Sequence, residues 1–304
     1  MSAAEPARTA LVFLDDDHPG GRLADAAEPQ LSVLDLGVTR GDGIFESLLA
    51  RDGNPRKLQA HLDRLQSSAQ ILELAVPAPE RWRAAIDTAL AAFGEPEAVV
   101  KLLATRGLEA APGAERPTCW VQVSPAPHGG QRQHTEGIDV LLLERGYDSG
   151  IAERAPWLLL GAKTLSYSVN MAALRYARQH GAGDVIFYSA DGRVLEGPTS
   201  SVLIARRHQG HQDADQPVKQ LVTPLLDSGI LPGTTQRALF DAAQQQGWQL
   251  GYGPLVPQDL LEASGVWLAS SIRGLVPVRR IDGQDIPVDK ALTEELNQLF
   301  DEIP

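Results

Sequence analysis

The chain has 304 residues, a formal net charge of −12 and a single cysteine, Cys119. The length allows two domains of roughly 150 residues, and the acidic balance argues against a nucleic-acid binder, which normally carries a basic face. One cysteine excludes an internal disulfide and fits a reducing cytoplasm. No apolar run approaches the length of a membrane span, and the first residues do not resemble a signal peptide. We therefore expect a cytoplasmic protein that binds neither nucleic acid nor membranes.

The N-terminal half of the sequence predicts a mixture of strands and helices. Strands follow from short runs of apolar and β-branched residues, and helices follow from apolar residues spaced three or four apart. The predicted elements are strands at Ala10–Leu14 and Ile44–Ala50, a hairpin turn at Arg51–Asn54, helices at Gln59–Leu74 and Glu80–Phe93, and strands in AVVKLLATRG and TCWVQVSPAP. Cys119 lies in the last of these strands and is predicted to be a core thiol.

The C-terminal half continues the same irregular mixture, which predicts an α+β fold. A small N-terminal domain is predicted at 1–130, a linker at 131–137 and a larger domain carrying Lys163 at 138–304, because PAPHGGQRQHTEG has a linker composition. The predicted elements are strands in IDVLLLE and SSVLIARR, a hairpin in DVIFYSADGRVLEG, and a strand, a turn and a second strand in GVWLASSIRGLVPVRRIDG. The segment GAKTLSYSVNMAALRYARQHGAG predicts a loop that leads into a helix ending at Gly181, and further helices are predicted from Gln236 onward and in ALTEELNQLFDEI. The polar stretch His208–Val218 predicts an exposed loop, and its histidines lack partners at metal-ligand spacing, so no metal is expected.

Lys163, in GAKTLSYSVNMAAL, and Glu196, in GRVLEGPTSSVLI, are the most informative pair in the sequence. A lysine amine forms a Schiff base with an aldehyde cofactor, and a fixed carboxylate keeps the ring nitrogen of such a cofactor protonated. Either residue alone would be ordinary, because a lysine near a helix start is usually solvated and an acid before Gly-Pro usually lies in a turn. Together they are the two groups that pyridoxal phosphate chemistry needs most.

A helix in LQAHLDRLQSSAQIL carries a candidate anion-binding arginine. His61 and Arg64 are three residues apart and therefore emerge from neighbouring points of the helix, with Arg64 beside the apolar stripe. The planar guanidinium suits a phosphate. It equally suits a bridging role at the rim of the helix.

Two further segments have the composition of an anion site. In ILPGTTQR, Thr234 and Thr235 precede a predicted helix, where backbone amides and hydroxyls bind anions or simply cap the helix. In SSIRG, Ser271 and Ile272 lead into a turn at Gly274, which suits an anion or any tight turn.

Taken together, these segments resemble one known family. The motifs RGDGIFES, HLDRL, KTLSYSVN, EGPTSSV, ILPGTTQR and SSIRGLVPV follow the order found in class IV (fold type IV) pyridoxal-phosphate enzymes. That family covers branched-chain aminotransferases, D-amino acid aminotransferases and aminodeoxychorismate lyases. The resemblance runs from about Leu34 to Gly283, and the KTLSY, TRG and LPG sequences are most similar to the lyase branch.

The resemblance implies pyridoxal 5′-phosphate as the cofactor, a two-domain fold like that of D-amino acid aminotransferase, a homodimer and a small amino substrate. It makes Lys163 the Schiff-base lysine and Glu196 the partner of the pyridine nitrogen. It assigns the cofactor phosphate and phenolic oxygen to a further set of residues, namely Arg64, Thr234, Thr235, Ser271 and Ile272 for the phosphate and Tyr167 for the phenolic oxygen. Ser166 stands where relatives often carry asparagine, and Asp42 resembles a turn anchor more than a catalyst.

Two reactions stay open within the family. A 4-amino-4-deoxychorismate lyase eliminates pyruvate and gives 4-aminobenzoate for folate biosynthesis, whereas an aminotransferase passes the amino group of branched-chain or D-amino acids to 2-oxoglutarate. The lyase substrate carries two carboxylates, and Arg106 and Arg273 are the candidate ligands for them, although both also suit surface or dimer contacts. The motifs favour the lyase. The presence of both Lys163 and Glu196 argues against a binding module without activity.

Overall fold

The computed structural model describes residues 8–111, 116–127, 131–208 and 218–303. The chain forms two compact units: the first comprises Met1–His128 and Ala162–Tyr167, and the second comprises Gly129–Gly161 and Ser168–Pro304. The short segment Ala162–Tyr167 carries Lys163 and belongs to the first unit, whereas the sequence had assigned it to a domain at 138–304. The domain limits of 130 and 138 otherwise stay a prediction.

The first unit is built on a six-stranded antiparallel sheet with helices packed on it. Its elements are β1 (Ala10–Leu14), β2 (Arg22–Asp25), α1 (Leu36–Arg40), β3 (Gly43–Arg51), β4 (Asn54–Pro55), α2 (Leu58–Ile71), α3 (Pro79–Phe93), β5 (Glu97–Thr105) and β6 (Thr118–Pro125). The strand order is β2-β1-β6-β5-β3-β4. The strands and the two longer helices predicted for this half are therefore confirmed, with helix ends that differ by at most three residues.

The apolar spacing of α2 and α3 determines how they cover this sheet. Leu62, Leu65 and Ala69 form the buried stripe of α2, which packs against β3, and α3 packs against β1 and β6. Helix α3 ends at Gly94, which adopts a φ of 73° and donates its N–H to the carbonyl of Leu90. Three polar side chains of α2, those of His61, Arg64 and Ser68, are buried as well, and they belong to the candidate active site described below.

The second unit contains an eight-stranded mixed sheet. Its elements are α4 (Gln131–Glu136), β7 (Ile138–Glu144), α5 (Ile151–Arg154), α6 (Ser168–Gln179), β8 (Asp184–Tyr188), β9 (Ser201–His208), β10 (Val218–Pro224), α7 (Thr234–Gln245), β11 (Gln249–Gly253), α8 (Pro257–Glu262), β12 (Gly265–Ser270), β13 (Gly274–Ile281), β14 (Gln284–Asp285) and α9 (Lys290–Glu302). The order is β11-β10-β9-β12-β13-β7-β8, with β14 beside β13. Three pairs are parallel, namely β10 with β11, β13 with β7, and β7 with β8.

Three features of this unit differ from the sequence predictions. Helix α7 begins at Thr234, two residues before the predicted start, so both threonines belong to its first turn. A short helix, α4, occupies most of the stretch expected to be a linker, and its His134 contacts the carbonyl of Leu275 through Nδ1 at 2.9 Å. Most of the loop predicted at His208–Val218 lies outside the described residues, and strands β9 and β10 pair up to His208 and Val218 on either side of it.

The described ranges bear on two of the expectations, those about membrane spans and metal sites. None of the helices there combines the length and apolar composition that crossing a bilayer requires. The same ranges contain no group of three or more His, Cys, Asp or Glu side chains arranged to hold a metal ion.

Candidate active site

The backbone around Lys163 is fixed on both sides within the first unit. Its carbonyl accepts the N–H of Phe45 at 3.0 Å, and its own N–H donates to the Ser68 hydroxyl of α2 at 3.1 Å. The N–H of Leu165 donates to the Gly43 carbonyl at 2.8 Å. Gly43 is required there, because a Cβ would lie 2.5 Å from the Ala104 carbonyl oxygen. The segment therefore runs against β3 like a short extra strand.

The amine of Lys163 lies among aromatic rings. Its Nζ is 4.3 Å from the centroid of the Phe45 ring and 5.8 Å from that of Tyr167. The two rings meet edge to face at 5.4 Å. Aromatic faces attract a cation within about 6 Å, so the rings hold the ammonium form in place. The structure thus brings Tyr167 beside the lysine, and the role that the resemblance implied, near the phenolic oxygen of the cofactor, stays a prediction.

Arg64 belongs to a buried charge cluster that the sequence analysis did not anticipate. Its Nε and Nη2 donate to the two carboxylate oxygens of Glu46 at 2.7 and 2.8 Å. His61 places Nδ1 2.7 Å from the same carboxylate, which has no solvent exposure. Because a bidentate pair fixes the plane of a guanidinium, Glu46 determines the direction in which the remaining Arg64 donors point.

The electrostatics of this cluster assign its protonation states. Burial opposes the charge on Glu46, but Arg64 and then His61 outweigh it and lower the pKa of the carboxyl to about 2. Burial is also the main influence on His61 and lowers its pKa below the ordinary 6.5, against the attraction of Glu46. At neutral pH, His61 is therefore neutral, and its Nδ1 carries the proton because an ionised carboxylate only accepts hydrogen bonds.

Glu46 was missed although the sequence carried a signal for it. In β3 the buried positions alternate as Ile44, Glu46, Leu48 and Ala50. Since alternate residues of a strand face the same side, a carboxylate in phase with three apolar residues must be buried. A buried carboxylate needs a cationic partner, and the nearby HLDR sequence offers two candidates.

Arg106, a predicted substrate ligand, is held by several groups of the first unit. Its guanidinium donates to the Asp42 carboxylate at 2.7 and 3.3 Å, to the Leu72 carbonyl at 2.8 Å and to the Glu73 carbonyl at 3.2 Å. Its backbone N–H also donates to the Asp42 carbonyl. Asp42 is thus the turn anchor that the sequence indicated, and Arg106 ties that turn to the end of α2. A carboxylate-binding role for Arg106 stays a prediction that must compete with these bonds.

In the second unit, Glu196 is positioned by the hairpin that follows β8. Its carbonyl accepts the N–H of Phe187 at 2.9 Å, and the N–H of Leu195 donates to the Phe187 carbonyl at 2.8 Å. Its carboxylate accepts the N–H of Leu231 at 3.2 Å. Asn170 donates to the Pro198 carbonyl at 2.8 Å and fixes the chain that follows. The carboxylate is therefore presented by rigid backbone on both sides.

Three hydroxyls meet at the start of α7. The Oγ1 atoms of Thr234 and Thr235 lie 3.2 and 3.1 Å from the Ser271 Oγ, and both threonines are buried. Gly233, before the helix, has no room for a side chain, because a Cβ would lie 2.2 Å from the Ser201 hydroxyl. Amides at a helix start, with hydroxyls around them, are a common way to hold a phosphate. The structure thus brings together three residues predicted for the phosphate.

The remaining predicted residues lie beside this cluster or in the first unit. Ile272 is partly buried in the turn between β12 and β13. Arg273 donates its N–H to the Ser270 hydroxyl at 3.2 Å and its Nη2 to the buried Asp184 at 2.5 Å, so its guanidinium already has an anionic partner. In the first unit, the Ser166 hydroxyl donates to the Gly41 carbonyl at 3.2 Å.

Comparison with known proteins decides the family. The family model for amino-transferase class IV matches residues 43–281. The chain belongs to the class IV aminotransferase family. It is 42% identical to the bifunctional aminodeoxychorismate lyase / D-amino acid transaminase of Mycobacterium tuberculosis (strain ATCC 25618 / H37Rv), over 88% of this chain and 91% of that protein.

Solved structures agree with this assignment. The fold IV transaminase CpuTA1 from Curtobacterium pusillum has a TM-score of 0.86 and 40% identity, covering 96% of this chain and 99% of the other. The PLP-bound form of a hypothetical aminotransferase from Mycobacterium tuberculosis has a TM-score of 0.85 and 38% identity, covering 97% and 98%. The predicted α+β fold of type IV is confirmed, and family membership confirms pyridoxal 5′-phosphate as the expected cofactor.

The chemistry of the residues present fits this cofactor. The first unit offers a fixed lysine amine for the aldehyde, at Lys163. The second unit offers a rigid carboxylate for the ring nitrogen, at Glu196, and the hydroxyl cluster of Thr234, Thr235 and Ser271 for the phosphate. The individual roles of these residues at the cofactor stay predictions.

Proposed function

We propose that this chain is a pyridoxal-phosphate-dependent 4-amino-4-deoxychorismate lyase that releases pyruvate and forms 4-aminobenzoate. The observation that carries the proposal is the 42% identity, over 88% of the chain, to a relative whose name includes this lyase activity. The KTLSY, TRG and LPG sequences point the same way. The product would supply folate biosynthesis.

Each step assigned to the protein follows from the residues described above. When bound, the cofactor supplies an aldehyde that condenses with amines and a ring that accepts electrons. Lys163 would hold the aldehyde of the cofactor, and its Nζ would be the base that takes the proton from the substrate carbon bearing the amine. Holding the Lys163 Nζ next to that carbon makes the proton transfer effectively intramolecular. The rings of Phe45 and Tyr167 lie beside Nζ and limit its rotation.

Glu196 and the hydroxyl cluster are assigned to binding and orientation. A carboxylate keeps a ring N–H protonated by accepting its hydrogen bond, and the Leu231 amide fixes one oxygen of Glu196 for that purpose. Thr234, Thr235, Ser271 and Ile272 of the second unit would donate to the phosphate, and the assignment of Arg64 to the phosphate stays a prediction from the resemblance. Losing Glu196 should slow proton removal far more than it weakens cofactor binding.

The substrate carboxylates need further cations, and we assign them to Arg106 and Arg273. Each already binds an aspartate, Asp42 and Asp184 respectively. Binding of substrate at either arginine would therefore have to share or displace that aspartate. Arg106 makes more bonds within the protein, so Arg273 is the better supported of the two.

A D-amino acid transaminase is the second candidate, because the same relative's name includes that activity. Both reactions begin with the same proton removal and differ in the following step. In a transaminase, Lys163 would also have to act as an acid and return the proton. In the lyase, pyruvate would leave instead. Branched-chain amino acids are the other donors to be tested.

The deciding experiment uses the purified, cofactor-loaded chain. Incubated with aminodeoxychorismate and no keto acid, the lyase releases 4-aminobenzoate and pyruvate in equal amounts at a catalytic rate. Lys163→Ala should abolish both products, and Lys290→Ala, at an exposed lysine of α9, should not. Absence of release, with amino transfer from D-alanine or leucine to 2-oxoglutarate, would overturn the lyase in favour of the aminotransferase. A protein that stays colourless with added cofactor would overturn both.

We also propose that the enzyme is a cytoplasmic homodimer. Helix α6 exposes Val169, Met171 and Tyr176, by 57, 39 and 47% respectively, which is apolar surface suited to a second copy. Light scattering after size-exclusion chromatography should give twice the mass of 32.7 kDa. A monomeric mass at micromolar concentration would contradict the dimer without affecting the proposed reaction.

A further inference from the structure

A small concavity of the second unit places opposite charges near each other. It is lined by Arg145 and Glu196, with Tyr147, Asn170 and Phe187 among the other residues. Glu196 has a proposed role at the cofactor, whereas nothing described above explains Arg145. The question is what a cation does on this side of the carboxylate.

Arg145 is held in the concavity by its surroundings. It follows directly after β7, and its N–H donates to the Tyr188 carbonyl at the end of β8 at 2.8 Å. Its guanidinium carbon lies 4.6 Å from the centroid of the buried Phe187 ring, a distance suited to a cation–π contact. Its Nη1 is shielded from solvent and has no hydrogen-bond partner within the described part of the chain. A buried donor without a partner is unfavourable. We therefore expect the positive charge of Arg145 to have a function that offsets this cost.

The backbone links this arginine to Glu196 through one residue. Phe187, on which Arg145 stacks, exchanges backbone hydrogen bonds with Leu195 and Glu196 on the returning chain. The same ladder therefore fixes both the platform under the guanidinium and the base of the carboxylate side chain. Both side chains line the same small concavity, and a nearby opposite charge favours the ionised form of a carboxyl group.

We infer that Arg145 is a positioning residue for Glu196: its fixed charge keeps the carboxylate ionised, so that it can accept the ring N–H of the cofactor. The inference rests on the proposed function, because it presumes that Glu196 meets the ring nitrogen. We assign Arg145 no contact of its own with substrate or cofactor. It acts only through the charge of the carboxylate.

Other charged groups nearby do not substitute for Arg145. Tyr147 is the other titratable residue among those named at the concavity, and its phenol carries no positive charge in either protonation state. Asp184, at the start of β8, is bonded to Arg273. Asp191, at the tip of the hairpin, accepts hydrogen bonds from the Ser149 hydroxyl and amide. A hydrogen bond from Ser189, and then those from Ser149, lower the pKa of its carboxyl.

The test compares Arg145→Gln, which keeps a donor without charge, with Arg145→Lys, which keeps the charge. The dissociation constant of pyridoxal 5′-phosphate is measured by absorbance on the apo chain from neutral pH into the acid range where the carboxyl titrates. In R145Q, the loss of affinity on acidification should move to higher pH by about one unit, which is tenfold in proton affinity. R145K should follow the wild type. A role confined to packing would weaken binding equally at every pH.

A second comparison assigns the effect to Glu196. In an E196Q background the carboxyl is absent, so adding R145Q should not move the pH profile. If R145Q shifts the profile there as much as in the wild type, or leaves the wild-type profile unmoved, the inference is wrong. Should R145Q not fold, Phe187→Leu, which removes the platform under the guanidinium, must give a smaller shift in the same direction. Wild-type protein that binds no cofactor would instead refute the proposed function.

Discussion

Replacing Glu46 by Gln should destabilise the first unit by about 3 kcal/mol at neutral pH. The Glu46 pKa of about 2, against an ordinary value of 4.5, measures how strongly its neighbours favour the charged form. At about 1.4 kcal/mol per pKa unit this difference corresponds to about 3 kcal/mol. Removing one partner of a buried ion pair has a similar cost, about 3–5 kcal/mol, since Arg64 keeps a buried charge without its counterion.

The pH dependence follows from the sign of that difference. The folded-state pKa of Glu46 is lowered, so its contribution is fully present above about pH 4.5 and is lost as the pH falls through about 2. The stability difference between wild type and E46Q should therefore be constant from neutral pH to about pH 5 and shrink below that. The folded-state pKa of His61 is also lowered, mainly by burial, so its contribution to stability falls in the same direction, as the pH drops below about 6.5.

Urea unfolding of the apo proteins, followed by circular dichroism, measures the effect. Glu97→Gln is a matched control in the neighbouring strand, because Glu97 pairs with Arg51 at 4.0 Å on the exposed surface. Exposed pairs contribute about 0–1 kcal/mol, so E97Q should unfold almost like the wild type. A double replacement of Glu46 and Arg64 by Leu and Met should recover part of the loss. An E46Q protein within 1 kcal/mol of the wild type would refute the reasoning.

Three other predictions concern individual side chains. Lys163→Ala should bind the cofactor with the absorbance of the free aldehyde and lose activity at least about 10³-fold, since the base is gone; retained turnover would contradict its role. Arg106→Gln should lower stability by about 1–3 kcal/mol, because the bonds to Asp42 and two carbonyls are lost; a raised KM at unchanged stability would instead indicate substrate binding. Cys119 should resist maleimide until the protein unfolds, because burial raises its pKa to about 12.

Local patterns in the sequence predicted most of the elements but not all of their ends. The stripe of Leu62, Leu65 and Ala69 defined α2, and Gly94 defined the end of α3, because each depends on neighbours within a few residues. The start of α7 was placed two residues late, since the sequence PGTTQ does not show whether threonines flank a helix or begin it. Strand β11 and helix α8, which follow α7, were missed because such short elements carry little periodicity.

The candidate site shows a different limit. Lys163, Glu196 and the hydroxyl residues were found by motif, whereas their partners depend on contacts between distant parts of the chain. Ser271 meets Thr235 from 36 residues away, which only the approach of the β12–β13 turn to α7 makes possible. Arg106 and Arg273 illustrate the converse, because a motif predicts an available cation and says nothing about an aspartate that binds it.

Domain limits placed along the sequence could not assign Lys163 to its structural unit, because the chain returns to the first unit after the second has begun. The second unit begins at Gly129, yet Ala162–Tyr167 belongs to the first unit. Contacts with β3 and α2 place it there, through Gly43, Phe45 and Ser68. Helix α2 carries Ser68 one turn after Arg64, so the element that holds the lysine backbone also holds the guanidinium paired with Glu46. Because one rigid helix fixes both groups, the position of the lysine depends on a buried charge cluster that only the register of β3 could have revealed.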